Sequence, residues 1–354
     1  MTPAACLTWF RRIAWTAFAL CAAVVVLGAW VRLTASGLGC PDWPTCYGHI
    51  TPGGAASNLD AASAAFPDRP FEYGKALREM IHRYAAATLG FLIVLMAAIA
   101  IVNRRDAAQP VFAPVFLLAF VIVQGMFGAL TVTWKLKPLI VTTHLIFGLI
   151  TLATLWWLCM QPRHRDLHPR ELPLRRLAVV GLIALAVQIA LGGWTSSNYA
   201  AIACPDVPTC QGEWWPPEMN FSEAFVLWRG LGVDYEGGVL DQAARVAIHF
   251  AHRLGALVAA LALGIAAFMT IARARSSVLR GAGVAVALAL ALQIAIGVTT
   301  VAQGFPLAVA TAHNAGAALL LITVVALMRH LWPLPVTRFR GEKRTRAAQR
   351  VFRA

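Results

Sequence analysis

Charged side chains are scarce in this chain. Only 13% of its 354 residues are Asp, Glu, Lys or Arg, where a soluble domain carries roughly a quarter. Four stretches have no charge at all: Ile13 to Val31, Tyr84 to Val102, Leu139 to Met160 and Leu307 to Met328. Runs of about 18 or more apolar residues are long enough to cross a hydrocarbon core roughly 30 Å thick. Runs this long satisfy their backbone groups as helices. The scarcity of charge therefore excludes an ordinary soluble enzyme. There is no low-complexity segment and no separate soluble domain. A cleavable signal is also excluded as a reading of the first run. That run exceeds the usual apolar core of a signal, no small-residue cleavage site follows, and it recurs later in the chain.

Acid is scarcer than base, 16 residues against 30, giving a formal net charge of +14. Such a balance raises nucleic acid as a partner, but the placement of the charge argues against it. Hydropathy predicts helices near 13–33, 79–102, 111–133, 138–160, 177–197, 245–270, 281–301 and 306–328. The short connections hold Arg104, Arg105, Arg163, Arg165, Arg170, Arg175, Arg176, Arg273, Arg275 and Arg280. Two long connections, 34–78 and 198–244, hold most of the acid, including Asp42, Asp60, Glu72, Asp206, Glu213 and Glu236. By the positive-inside rule, both termini are expected in the cytoplasm and both long loops outside. The basic tail at 336–354 then reads as a topology signal that touches anionic membrane lipid, and no nucleic-acid partner is expected. Trp214, Trp215, Phe221, Phe225 and Trp228 place the second long loop at a membrane interface.

The chain repeats itself. Leu27-Gly-Ala-Trp30 returns as Leu191-Gly-Gly-Trp194, and Cys40-Pro-Asp-Trp-Pro-Thr-Cys-Tyr-Gly48 as Cys204-Pro-Asp-Val-Pro-Thr-Cys-Gln-Gly212. Both recurrences are offset by 164 residues. His82-Arg83 returns as His252-Arg253, Gln124 as Gln293, and His144 as His313, at offsets of 170, 169 and 169. A fixed period of this length marks a duplicated unit. The expected fold is all-α: eight transmembrane helices in two tandem four-helix bundles, related by a pseudo-two-fold axis along the membrane normal. The halves are 1–165 and 166–335.

Nine histidines are present. His164 and His168 fall in a basic loop, and His49 and His330 near helix ends, where they need no special account. His82, His144, His252 and His313 differ, because each falls in the first turns of an even-numbered helix. A lone histidine there is ordinarily a hydrogen-bonded structural residue. Four at repeat-related positions, where polar groups are costly and face the bundle interior, form two facing pairs. An imidazole pair across a four-helix bundle suits the two axial positions of a haem iron. Zinc would need further protein ligands, and the first half offers only Glu79. Arg83 and Arg253 follow their histidines and either pair with propionates or snorkel to the interface.

Of the seven cysteines, Cys6, Cys21 and Cys159 read as small apolar residues. Cys40 with Cys46, and Cys204 with Cys210, lie on the oxidising side, where a local disulfide is geometrically easy. Each pair is either a structural staple or a redox-active dithiol. One asymmetry separates the repeats. Glu79 stands three residues before His82, on the same helix face, and its counterpart is His249. A carboxylate beside a porphyrin edge can take protons as a carbon is oxidised, which assigns Glu79 a catalytic role. His249 would support a site whose haem does not react. The alternative is that Glu79 merely complements the N-terminal dipole of its helix.

These residues together resemble the haem A synthase family, in particular its proteobacterial branch. The motifs are Arg32-Leu-Thr-Ala-Ser-Gly-Leu-Gly-Cys-Pro-Asp-Trp-Pro44, Glu79-Met-Ile-His-Arg83, Thr143-His-Leu145, His252-Arg-Leu-Gly-Ala256 and Ala312-His-Asn314, with Trp214-Trp-Pro-Pro217 in the second loop. Asn314 departs from the apolar residue many relatives carry there. The resemblance covers about residues 12–330. It implies an eight-helix enzyme of the bacterial inner membrane that oxidises the C8 methyl of haem O to a formyl group, with oxygen taken from water. It further implies substrate haem O at His82 and His144, and a haem b cofactor at His252 and His313. Haem O synthase and a terminal oxidase assembly pathway follow as partners, and a homo-oligomer is compatible with all of this. Rival readings are a dihaem electron-transfer cytochrome, a haem transporter and a membrane thiol-disulfide oxidoreductase.

Overall fold

The computed structural model describes residues 2–160 and 168–332, except the side chain of Arg170. Arg163, His164, Arg165 and the basic tail lie outside the described residues. Among the described residues, eight helices are long and apolar enough to cross a membrane. They are α1 Pro3–Leu33, α2 Tyr73–Val102, α3 Phe112–Thr133, α4 Pro138–Cys159, α5 Leu172–Ser197, α6 Gln242–Arg273, α7 Ser277–Ala302 and α8 Leu307–Leu331. All eight expected spans are present, and no strand occurs among the described residues.

Several helices begin earlier than their apolar runs. The start of α1 is set by Pro3 in the first turn and by the Thr2 hydroxyl, which accepts the Ala5 N–H at 3.3 Å. Arg11 and Arg12 consequently lie inside α1, exposed. Helix α2 starts at Tyr73, six residues before Glu79, and α6 starts at Gln242, with the Asp241 carboxylate accepting the Ala244 N–H at 2.8 Å. Hydropathy reports the membrane-buried part of a helix, whereas caps report where it starts. All four histidines lie in the first turns of even-numbered helices, as expected, though the earlier starts of α2 and α6 set two of them deeper. His144 and His313 lie in the second turn of α4 and α8, while His82 and His252 lie in the third turn of α2 and α6.

Helices α1 to α4 pack as a ring, each against its sequence neighbour and α4 against α1, and α5 to α8 do the same. The rings meet through α1 on α8, α4 on α5, and α4 on α8. One buried cluster runs through this junction, from Phe10, Ala14 and Cys21 through Leu152 and Leu155 to Leu185, Leu263, Val324 and Leu331. The outward faces stay apolar: Phe112 is 83% exposed, Val102 79% and Leu257 68%. In water so much exposed apolar surface would drive association, whereas lipid solvates it.

The outer segment between α1 and α2 carries short helices Pro52–Ala56 and Leu59–Ala65, and that between α5 and α6 carries Phe221–Ala224. Part of the second segment crosses onto the first half. Lys137, at the start of α4, donates to the carbonyls of Arg229 (2.5 Å) and Gly230 (3.4 Å), and its ammonium lies 3.2 Å from the centroid of Trp228. The Tyr235 N–H donates to the Lys135 carbonyl at 3.1 Å, and the Tyr235 side chain is buried with Leu38, Val132 and Leu136. Arg69 pairs with both Asp234 and Glu236. Trp228 is thus turned onto Lys137, and like Trp214 and Trp215 it remains exposed.

Candidate functional site

Each of the four helix histidines rests against a glycine on the preceding helix. A Cβ placed on Gly28 of α1 would lie 3.0 Å from Cε1 of His82. The same atom on Gly128 of α3 would lie 3.4 Å from His144, on Gly192 of α5 3.1 Å from His252, and on Gly297 of α7 2.9 Å from His313. A side chain at Gly28, Gly192 or Gly297 would push on an imidazole, whereas at Gly128 a Cβ would just touch one. Three of the four have a second support. The Gln124 amide donates to the His144 carbonyl at 2.9 Å, Gln188 to that of His252 at 3.1 Å, and Gln293 to that of His313 at 3.1 Å. In the second half both amides also come within hydrogen-bond reach of a ring nitrogen, 3.1 Å for His252 and 3.3 Å for His313.

Each of these glutamines stands four positions before its glycine, so Gln-x-x-x-Gly on an odd helix faces His on the next even one. That signal was legible in the sequence and went unread, apart from Gln124 and Gln293. The first helix departs from it, with Val24 in place of glutamine before Gly28. His82 therefore has a glycine ledge and no amide. Its Nδ1, and that of His144, are buried without a hydrogen-bond partner. Buried polar atoms are rarely left so. Orphaned imidazole nitrogens above glycine ledges fit a planar iron porphyrin held through the rings, and the pairing His82 with His144 and His252 with His313 suits it in each half. Among the described residues no group of three or more His, Cys, Asp or Glu is placed to hold a bare metal ion.

The cysteine segments form two copies of one built loop. Disulfides join Cys40 to Cys46 and Cys204 to Cys210. Inside the first, the Asp42 carboxylate accepts from the Thr45 hydroxyl (2.5 Å) and the N–H groups of Tyr47 (2.6 Å) and Gly48 (2.9 Å). Inside the second, Asp206 accepts from Thr209, from the N–H of Gln211 (2.6 Å) and from that of Gly212 (3.0 Å). The chain turns through positive φ at Tyr47-Gly48 and at Gln211-Gly212. All four sulfurs belong to buried residues. Burial places both disulfides out of direct reach of an attacking thiolate.

Arg83 and Arg253 hold these loops in place. Arg83 donates to the carbonyls of Asp42 (2.9 Å) and Thr45 (2.7 Å), and Arg253 to those of Asp206 (2.8 Å), Thr209 (2.6 Å) and Cys204 (3.1 Å). Loop anchoring is a role that neither propionate pairing nor snorkelling had anticipated. Glu79 belongs to the same contact. It is 4% exposed, and its carboxylate accepts the Cys40 N–H at 2.9 Å and pairs with Arg83 at 2.6 Å. Gly39 makes this approach feasible, since a Cβ there would lie 2.5 Å from the Lys75 backbone carbon. Glu79 lies in the second turn of α2, beyond the reach of the first-turn dipole. His249 is equally buried, with Nδ1 unpartnered and its ring edge-on to Phe305.

A family model described as cytochrome oxidase assembly protein matches residues 11–325. A protein of Shewanella oneidensis named Heme A synthase is 40% identical over 329 residues, covering 92% of this chain and 97% of the relative. The chain belongs to the haem A synthase family. A haem A synthase of Rhizorhabdus wittichii is 30% identical over 342 residues, covering 91% of this chain and 93% of that protein. One from Shouchella clausii is 28% identical over 201 residues, 54% of this chain and 61% of its own length. The proteobacterial resemblance read from the motifs agrees with the Shewanella match.

Proposed function

We propose that the protein converts haem O to haem A by oxidising the C8 methyl group to a formyl group, with water as the oxygen source. The observation that carries this reading is the duplicated histidine-on-glycine arrangement inside a chain of the haem A synthase family. Turning a methyl and one water into a formyl releases four electrons and four protons. The chemistry therefore needs a bound redox centre, a proton acceptor and an external electron acceptor.

In this reading the first half, about 1–165, holds substrate haem O through His82 and His144. The second half, about 166–335, holds a resident haem b through His252 and His313. When bound, haem b supplies one-electron redox chemistry. The glutamine amides on His252 and His313 fix those rings, as outer partners do for metal ligands. His82 has no such amide, which fits a site that exchanges its occupant. Glu79 takes protons released at the first site, and Arg83 beside it holds the carboxylate in position. His249 supports the second site. The product passes to assembly of a terminal oxidase, and the long loops face the periplasm.

The test is to express the chain beside a haem O source and separate the extracted haems by chromatography. Haem A should accumulate. Replacing His82 or His144 should abolish it while leaving a stably bound haem b, and replacing His252 or His313 should remove that haem. Equal loss of one haem from all four variants would overturn the two-site reading. Unchanged haem content with no haem A would favour a dihaem electron-transfer cytochrome.

A further inference from the structure

We infer that the outer rim of the first half is a dicarboxylate site, in which Arg78, assisted by Arg32, receives the propionates of the porphyrin bound there. This inference rests on the proposed function and deepens it. On α2, Arg78 lies four residues before His82, which puts it on the same helix face one turn nearer the outer end. On α1, Arg32 lies four residues after Gly28, the ledge beneath His82, again one turn outward. Arg78 therefore caps the face of the bundle that carries the first histidine, while the Arg32 guanidinium lies at the seam with the second half, against Ser196 and Tyr199.

Neither guanidinium is satisfied by protein. Among the described residues Arg78 makes one hydrogen bond, from Nε to the Ser36 hydroxyl at 2.9 Å, and its Cζ lies 5.7 Å from the centroid of Trp30. Its two terminal amines have no acceptor, and no carboxylate pairs with it. Arg32 donates one amine to the Ser196 carbonyl at 2.5 Å and stacks 4.0 Å from the Tyr199 centroid, but its Nε is buried without a partner. The Tyr199 hydroxyl is likewise buried and unpartnered. By contrast, Arg69, Arg83 and Arg229 all have carboxylates. A partly buried cation such as Arg78, which pairs with no carboxylate among the described residues, is costly unless an anion completes it. Guanidinium forks match carboxylates in geometry.

The second half is built differently at the same places. Arg78 is replaced by Ile248 and Arg32 by Ser196. Ile248 is fully buried in a plug with Trp194, Ala200, Ala224 and Leu240, and the Trp194 indole donates to the Ala224 carbonyl at 2.9 Å. Trp30, the counterpart of Trp194, carries Arg78 instead of an apolar plug. One outer rim is cationic and half-open, and the other is apolar and sealed. A porphyrin that enters and leaves is thus recognised by its charged edge in the first half, and a resident one is packed over in the second.

Purified protein retaining its resident haem is titrated with ferric protoporphyrin IX and, separately, with its dimethyl ester, which lacks carboxylate charge. Uptake lost in His82→Ala defines binding to the first half. The native chain should favour the free acid by about tenfold or more, the scale of one charge-assisted hydrogen bond. Arg78→Ile, which copies the second half, should erase that preference, and Arg78→Lys should restore part of it. Retained resident haem shows that each variant is folded. If Arg78→Ile and Arg32→Ser both keep the native preference, the propionate assignment is overturned. If the native chain takes up no porphyrin sensitive to His82, the assignment of the first half as a haem site fails, and this inference with it.

Discussion

At the scale of single residues, glycine does as much as histidine. Gly297 allows the His313 ring to sit where a Cβ would come within 2.9 Å of Cε1. A displacement of about 1 Å at a reacting group can cost on the order of a hundredfold in rate, and a displaced axial ligand is expected to weaken its hold on a haem. Gly297→Val should therefore cut stably bound haem by roughly tenfold or more in a pyridine haemochromogen assay, while circular dichroism shows unchanged helix content. Native haem content in that variant would refute the ledge. Glu79→Gln should keep haem b and the fold, because an amide oxygen still accepts the Cys40 N–H, yet should stall on haem O or an early hydroxylated product. Near-normal haem A from that variant would remove Glu79 from the chemistry. Asp206 gives a pH prediction. The Thr209 hydroxyl, and then the N–H groups of Gly212 and Gln211, hold its carboxyl below the usual range near about 3.9. A depressed pKa contributes stability that is present above the unfolded value and lost as pH falls through the folded one. Exchange at the Gln211 and Gly212 amides should accelerate, relative to unstructured peptide, as pH drops below about 4. In Asp206→Asn that change should be absent. The histidines and cysteines behind these predictions were legible in the sequence as chemistry-bearing residue types. The glycines were not, since a glycine announces a close approach only when the approaching group is known.

At the scale of elements, the outer segments divide into staples and a strap. The two Cys-Pro-Asp loops share disulfide, aspartate turn and arginine anchor, so their repeated sequence is the record of a repeated geometry. The strap formed by 228–238 has no counterpart in the first loop. It is held by Lys137, by the Tyr235 N–H on the Lys135 carbonyl, and by Arg69 with its two acids. It ties the second long loop to the first half. Lys137→Met should free it, seen as faster hydrogen exchange at the Tyr235 amide and at 228–233. Protection in α6 around His252 should stay as in the native chain. Unchanged exchange at Tyr235 would show that the ion pairs and the buried Tyr235 ring suffice. The apolar runs foretold the helices. Several of them start earlier than the apolar run, at α1 and α6 on the caps Thr2 and Asp241, because capping is a hydrogen-bond property and leaves no trace in hydropathy.

At the scale of the whole molecule, the open expectation is orientation. Alkaline phosphatase fused after Ser57 should be active and after Arg105 inactive if the long loops face the periplasm. The opposite pattern would invert the positive-inside reading and with it the side from which haem enters. The sequence alone determined that eight helices cross a membrane, that the second four repeat the first, and that four histidines recur with the repeat. Each of these is local or periodic: an apolar span and a duplicated motif can be read without knowing what touches what. Only the tertiary structure decided that Glu79 meets Cys40 across 39 residues of chain, that Arg83 and Arg253 serve loop carbonyls, and that Arg32 reaches Ser196 across 164. It also decided that the second loop lies on the first half. Such contacts join groups far apart in the chain, and their energies depend on burial and on distances of a few ångströms, which packing sets and residue order does not encode in any readable period.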